Sequence, residues 1–167
     1  PYICFLDYIL RESERYARAL GESLKERIFD DIFPYFARGF VHYAQYIGHL
    51  PQDLGKQTLE ERTVLLQPFF EGTLAFLYRL LFLLYAESRD LLPVHDVRYH
   101  AQSLTRIKEE IAAIAKNNKV QAPKNIENRF PEDVTATDLY GRLRVLFKAI
   151  DQGDVELNVP TYDGGLF

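Results

Sequence analysis

The 167-residue sequence contains no methionine, no tryptophan and a single cysteine, Cys4. One cysteine rules out an intrachain disulfide and a cysteine-built zinc site, and it suits a reducing compartment. A chain that starts at Pro1 and lacks methionine is expected to be an excerpt of a longer protein. The start PYICFLDYILRESER has neither a basic leader nor a small-residue cleavage site, so no secretory signal is read there. Strand-like alternation, internal repeats and low-complexity tracts are also missing. The most apolar stretch, LYRLLFLLYAESRDLLP at 77–93, is broken by Arg79, Glu87 and Arg89. No charge-free run reaches the roughly 20 residues that a spanning helix needs. The expectation is a soluble, cytoplasmic protein with no membrane partner.

What is present is apolar and aromatic. Hydrophobic residues make up 47% of the chain, with 11 Tyr and 12 Phe, enough for one domain with a real core. The periodicity is helical nearly throughout. A first helix is expected over about 5–20, ended by Gly21, and Ser23 to Glu26 reads as a capping box for the next. Leu24, Ile28, Ile32, Phe36, Phe40, Tyr43 and Ile47 then mark one apolar face, with Pro34 expected to kink the helix. Thr58 to Glu61 is a second capping box, opening a segment that bends or breaks at Pro68 and ends near Arg89. Leu104, Ile107, Ile111 and Ile114 form the stripe of a further helix. The stretch 117–133 reads as a polar loop, and Leu139 to Ile150 as a last helix ended at Asp151-Gln152-Gly153. The fold class is therefore all-α, an irregular bundle of five to seven helices. It has a kinked long helix near Pro34 and a central apolar helix ending near Arg89. Residues 1–154 form one helical domain, and 155–167 an extended tail.

Winding the central helix at 100° per residue puts Gly72, Ala75, Arg79 and Ala86 within about 40° of one line. Small residues there let another backbone come close. Arg79, if buried on that line, needs a partner: Glu87, Asp90 or a carbonyl at a neighbouring helix end. It is read either as a structural tie or as a ligand-binding arginine.

The remaining polar residues form no recognisable catalytic or metal-ligating set. His42, His49, His95 and His100 lack the spacing of a zinc site. Arg89-Asp90-Leu-Leu-Pro-Val-His95 has the spacing of the Arg–polar–x₄–His element of HEPN-type ribonucleases, but Pro93 should end the helix between the two. No catalytic residue is assigned. Net charge is −4, which disfavours wholesale coating by nucleic acid. Residues 98–130 nonetheless carry seven basic and three acidic groups. Within that segment Lys116, Lys119, Lys124 and Arg129 are candidate DNA-phosphate contacts, set against a simple solvated basic loop.

Three segments taken in order, LYRLLFLLYAESRDLLP (77–93), DLYGRLRVLFKAIDQGD (138–154) and VPTYDGGLF (159–167), resemble a family pattern. It is that of the helical region in bifunctional type II (type IIG-like) restriction–modification enzymes, adenine-N6 DNA methyltransferases and related phage-defence methylases. Arg79, Glu87, Arg89, Pro93, Ile150, Asp151, Gly153, Gly164, Gly165 and Phe167 carry the match. It covers 70–154 well and 1–60 only in helical character. The resemblance implies a non-catalytic connector, with Arg79, Glu87, Arg89, Asp151 and Gly153 in structural roles. The parent chain would then hold S-adenosylmethionine, and magnesium if a nuclease is fused to it. Its partners would be double-stranded DNA and the flanking methyltransferase and nuclease domains, the tail leading toward the methyltransferase core. The other readings are a stand-alone helical protein-interaction module and, more remotely, a HEPN-like ribonuclease.

Overall fold

The computed structural model describes residues 5–117, 136–162 and 165–167. Every regular element among them is helical, and the fold is an all-α bundle. The elements are α1 (Phe5–Glu26), α2 (Phe33–Tyr46), α3 (Leu59–Ser88), the short α4 (Val97–His100), α5 (Leu104–Asn117) and α6 (Asp138–Gln152). A π-helical turn, Arg27–Ile32, joins α1 to α2, and a 3-10 turn, Leu54–Lys56, precedes α3.

Local signals were followed in some places and overridden in others. Gly21 does not stop α1, which runs on to Glu26 without a Ser23 cap. The apolar period continues through Leu24 and Ile28, and Gly21 keeps an ordinary negative φ. The discontinuity near Pro34 lies just upstream of it. The π turn lets Phe33 N–H donate to Ile28 O, and Pro34 then falls in the first turn of α2, where a missing N–H costs little. Pro68 does not break α3. The Thr58 capping box forms as read: Thr58 N donates to Glu61 Oε2 at 2.8 Å, and Glu61 N donates to Thr58 Oγ1 at 3.3 Å.

The core is built from α3 onward. Phe76, Leu83 and Ala86 of α3 pack with Tyr99, Leu104, Leu146, Phe147 and Ile150, and Leu92 and Val159 close the cluster from loops. Phe36 and Phe40 of α2 lean on it from one side, and Phe40 meets Phe76 edge-on at 5.5 Å.

The tail is not extended. Gly153 ends α6 at φ 75°, and residues 154–159 turn back through paired hydrogen bonds between Asp154 and Val159, both 2.8 Å. Tyr162 N donates to Ile150 O at 3.0 Å, and its hydroxyl donates to Leu91 O. Phe167 lies against Phe82 and Phe147 at 5.4 and 5.8 Å.

Candidate functional site

Glu87 is the buried charged side chain among the described residues, 8% exposed. Four donors surround it. Oε1 accepts from the Tyr99 hydroxyl at 2.9 Å and Leu104 N at 2.8 Å; Oε2 accepts from Thr105 N at 2.8 Å and Thr105 Oγ1 at 2.7 Å. The carboxylate thus seats the last turn of α3 on the start of α5, where free amides and the helix dipole favour an anion. Ser103 completes the cap by accepting from Arg106 N at 3.0 Å. Burial, reinforced by the facing Glu87 carboxylate, pushes the Tyr99 phenol far above its ordinary range. Every donor here is consumed by fold.

Arg79 is half-buried, and its partner is neither Glu87 nor Asp90. Its Nε donates to Leu166 O at 2.8 Å, so the carbonyl comes from the tail rather than from a helix end. The guanidinium carbon lies 5.8 Å from the Phe147 ring centre and 5.7 Å from that of Phe167. Arg79 therefore ties α3 to the tail and to α6.

Arg89 caps α3 from outside, its guanidinium carbon 5.9 Å from the Tyr85 ring centre. The helix has ended before the Arg89–His95 element begins. His95 instead approaches Asp90 at 3.4 Å on the surface. Asp151 is half-buried in the last turn of α6. At Gly153 an added Cβ would lie 2.7 Å from Thr161 Oγ1 and 3.1 Å from Thr161 N, so a side chain is excluded on steric as well as conformational grounds.

Of the candidate phosphate contacts, Lys116 stands exposed at the end of α5. Lys119, Lys124 and Arg129, together with Gly164, lie outside the described residues. Two other cations of the basic segment are already paired. Arg98 meets Asp96 at 2.7 Å, and this hydrogen bond holds the Asp96 carboxyl down at about 2. Arg106 meets Glu110 at 3.1 Å. Glu110 also takes Arg142 at 2.6 Å, linking α5 to α6, and that bond lowers its pKa.

Sequence reasoning missed the uncovered apolar surface. The helix read as central and surrounded is open on one side: Tyr78, Leu81, Leu84 and Tyr85 are exposed, the last at 57%. By length and composition α3 is the described helix that could cross a membrane, and 28% of its most apolar window is buried in the bundle. Along α1, Ile9, Leu10, Tyr16 and Leu24 are exposed, Tyr16 at 71%. These two faces meet in an apolar groove formed by Leu24 and Ile28 with Leu74, Leu77 and Leu81.

No group of three His, Cys, Asp or Glu side chains that could hold a metal ion comes together among the described residues. The described residues also include no strand, so the strand–glycine–helix turn that cradles S-adenosylmethionine has no counterpart in them. The residues described fit neither group. No family model, no curated protein and no solved structure matches this chain.

Proposed function

We propose that the chain is a non-catalytic helical connector of a DNA restriction–modification enzyme of the adenine-N6 methyltransferase type. In this reading it sets the spacing of the catalytic domains along DNA, in the cytoplasm. S-adenosylmethionine, and magnesium where a nuclease is fused, belong to domains outside these residues. The observation that supports a connector is how the resemblance residues are spent. Arg79 binds the Leu166 carbonyl, Glu87 seats α5, Gly153 turns the tail and Phe167 returns to Phe147. Residues used in this way hold three segments in fixed register. Lys116 and the cations that follow it would touch phosphates, which position a protein without reading sequence.

The exposed faces of α1 and α3 favour a second reading, a helical interaction module that receives another subunit. One observation separates the two. The reading frame that contains residues 1–167 should continue into an Asn/Asp-Pro-Pro-Tyr/Phe loop, the element that grips a flipped adenine. Its absence from the frame removes the connector reading and leaves the module.

A further inference from the structure

The small-residue line of α3 does not receive a neighbouring backbone. At Gly72 an added Cβ would meet no atom within 4 Å. Gly72 and Ala75 instead floor an open-sided cavity of about 570 Å³ between α2, α3 and α6, with Gly72, Tyr43, Tyr140 and Arg144 exposed along it. Its walls are aromatic: Phe40 from α2, Phe76 from α3, Tyr140 and Phe147 from α6. The rings already pack among themselves, Phe40 with Tyr140 at 5.9 Å and Phe76 with Phe147 at 5.8 Å, which fixes the walls before any ligand arrives. Two cations, Arg79 and Arg144, line the same space, and among the described residues no carboxylate does. In a chain of net charge −4 this is a local reversal of sign. Arg79 donates through Nε to Leu166 O with its guanidinium beside Phe147 and Phe167, its terminal nitrogens make no hydrogen bond among the described residues, and Arg144 is exposed. Among the described residues neither arginine has an ion-pair partner.

We infer that this cavity binds a small planar aromatic anion. The volume is that of a small-molecule site, and the walls are mostly apolar with a few polar groups converging on one region. The ring system would lie against the open side of Phe40 and Tyr140, above the buried Phe76. Its anionic group would take charge-assisted hydrogen bonds from the two guanidinium groups. An aliphatic anion lacks the stacking and a neutral arene lacks the charge pairing, so each alone should bind weakly. The same chemistry is offered by a nucleoside monophosphate and by an aryl carboxylate. This inference is independent of the connector reading.

The test is fluorescence titration of the 167-residue chain with 1-anilinonaphthalene-8-sulfonate and with its uncharged analogue N-phenyl-1-naphthylamine. The sulfonate should bind at least tenfold more tightly. Arg144→Gln should weaken it at least fivefold while leaving the neutral probe unchanged. Gly72→Leu, which puts a side chain on the floor where an added Cβ meets no atom within 4 Å, should abolish binding of both, with the helical circular dichroism and melting midpoint retained. Equal affinity for the two probes, or indifference of the sulfonate to Arg144→Gln or Gly72→Leu, would overturn the site and leave only adsorption to the open faces of α1 and α3. Displacement of the sulfonate by adenosine monophosphate or by 2-naphthoate then identifies which source of the anion the cavity prefers. Failure of both at millimolar concentration overturns the assignment.

Discussion

α1 and α3 are both long helices of mixed apolar and charged residues, 22 and 30 residues, yet the molecule treats them in opposite ways. α3 is held on three sides. Its second half supplies Phe76, Leu83 and Ala86 to the core, Glu87 to the start of α5 and Arg79 to the tail. Among the side chains described, α1 supplies none to that cluster, and it presents Ile9, Leu10, Tyr16 and Leu24 to solvent. The difference teaches that an apolar period is necessary for a packed helix but does not name its partner. Burial follows from which other segments fold back. Here α5, α6 and the tail return to α3, and the described residues return nothing to most of α1.

The sharpest way to break this contrast is Glu87→Ala. The substitution strips partners from Tyr99, Leu104 and Thr105 at once and removes the anion at the α5 N-terminus. Losses of about 3–5 kcal/mol are expected for removing the charged member of a buried polar cluster. A chemical denaturation midpoint shifted by less than a third of that would mean that α5 is seated by its apolar stripe alone.

Gly153→Ala should follow in size. The residue sits at φ 75° and ψ 155°, a region essentially reserved for glycine, and the new methyl would overlap Thr161. About 1–3 kcal/mol of strain is expected, felt first in the tail. The expected signature is loss of amide protection at Val159 and Tyr162 before α3 opens. Uniform loss across the bundle would show that tail and core are one cooperative unit.

How much of this was legible beforehand depends on the distance over which each signal acts. The Thr58–Glu61 box acts across three residues and was readable as written. So was the stop at Gly153, and so were the stripes of α5 and α6 except at one end of each, where Ile114 and Leu139 are exposed. Glu87 belongs to a quoted motif, but its partners lie 12 to 18 residues away on α4 and α5, and no local pattern marks them. Arg79 was recognised as needing a partner, yet the carbonyl it takes is 87 positions along the chain. The Gly21 stop and the Ser23 box failed because good helix-forming neighbours continued the period across a residue that no turn required. The encircled α3 failed for a related reason. Apolar residues all round a helix report that it prefers to be covered, and within the described residues one face of it is not. The same limit hid the cavity over Gly72, since spacing alone cannot distinguish a close backbone approach from an empty floor.

A pH experiment probes the packed region without dismantling it. The Tyr99 phenol is raised in the folded chain by burial and by the Glu87 carboxylate, whereas in the unfolded chain it titrates near the ordinary value of about 10. A folded pKa above the unfolded one means that the stability it contributes is complete below pH of about 10 and is lost as the pH rises beyond it. The fall should approach about 1.4 kcal/mol per pH unit, because unfolding then releases a proton. Tyr99→Phe should cost about 1 kcal/mol at neutral pH, through the donor lost to Glu87, while removing this alkaline slope. An unchanged slope would place the titrating group elsewhere and loosen the description of Glu87 as a closed, fully paired site.

The smallest expected effect bears on the other half of the contrast. Leu10 and Tyr16 are 59% and 71% exposed, so Leu10→Ser and Tyr16→Ser remove little surface that is buried within this chain. Each should move the denaturation midpoint by less than about 0.5 kcal/mol, against about 2–5 kcal/mol for Leu83→Ala in the core. Under the connector reading, the same two substitutions should act differently in the parent enzyme. If the α1 face is covered there by a neighbouring domain, limited proteolysis should spare α1 in the parent and cut it once Leu10 and Tyr16 are polar. A core-sized loss of stability in the isolated chain would show that α1 packs against its own bundle, and the contrast with α3 would fall. Protection that is indifferent to the substitutions would instead leave α1 a solvated arm, with its apolar residues serving no partner. The two measurements together decide whether the exposed face is an interface or simply unspent surface.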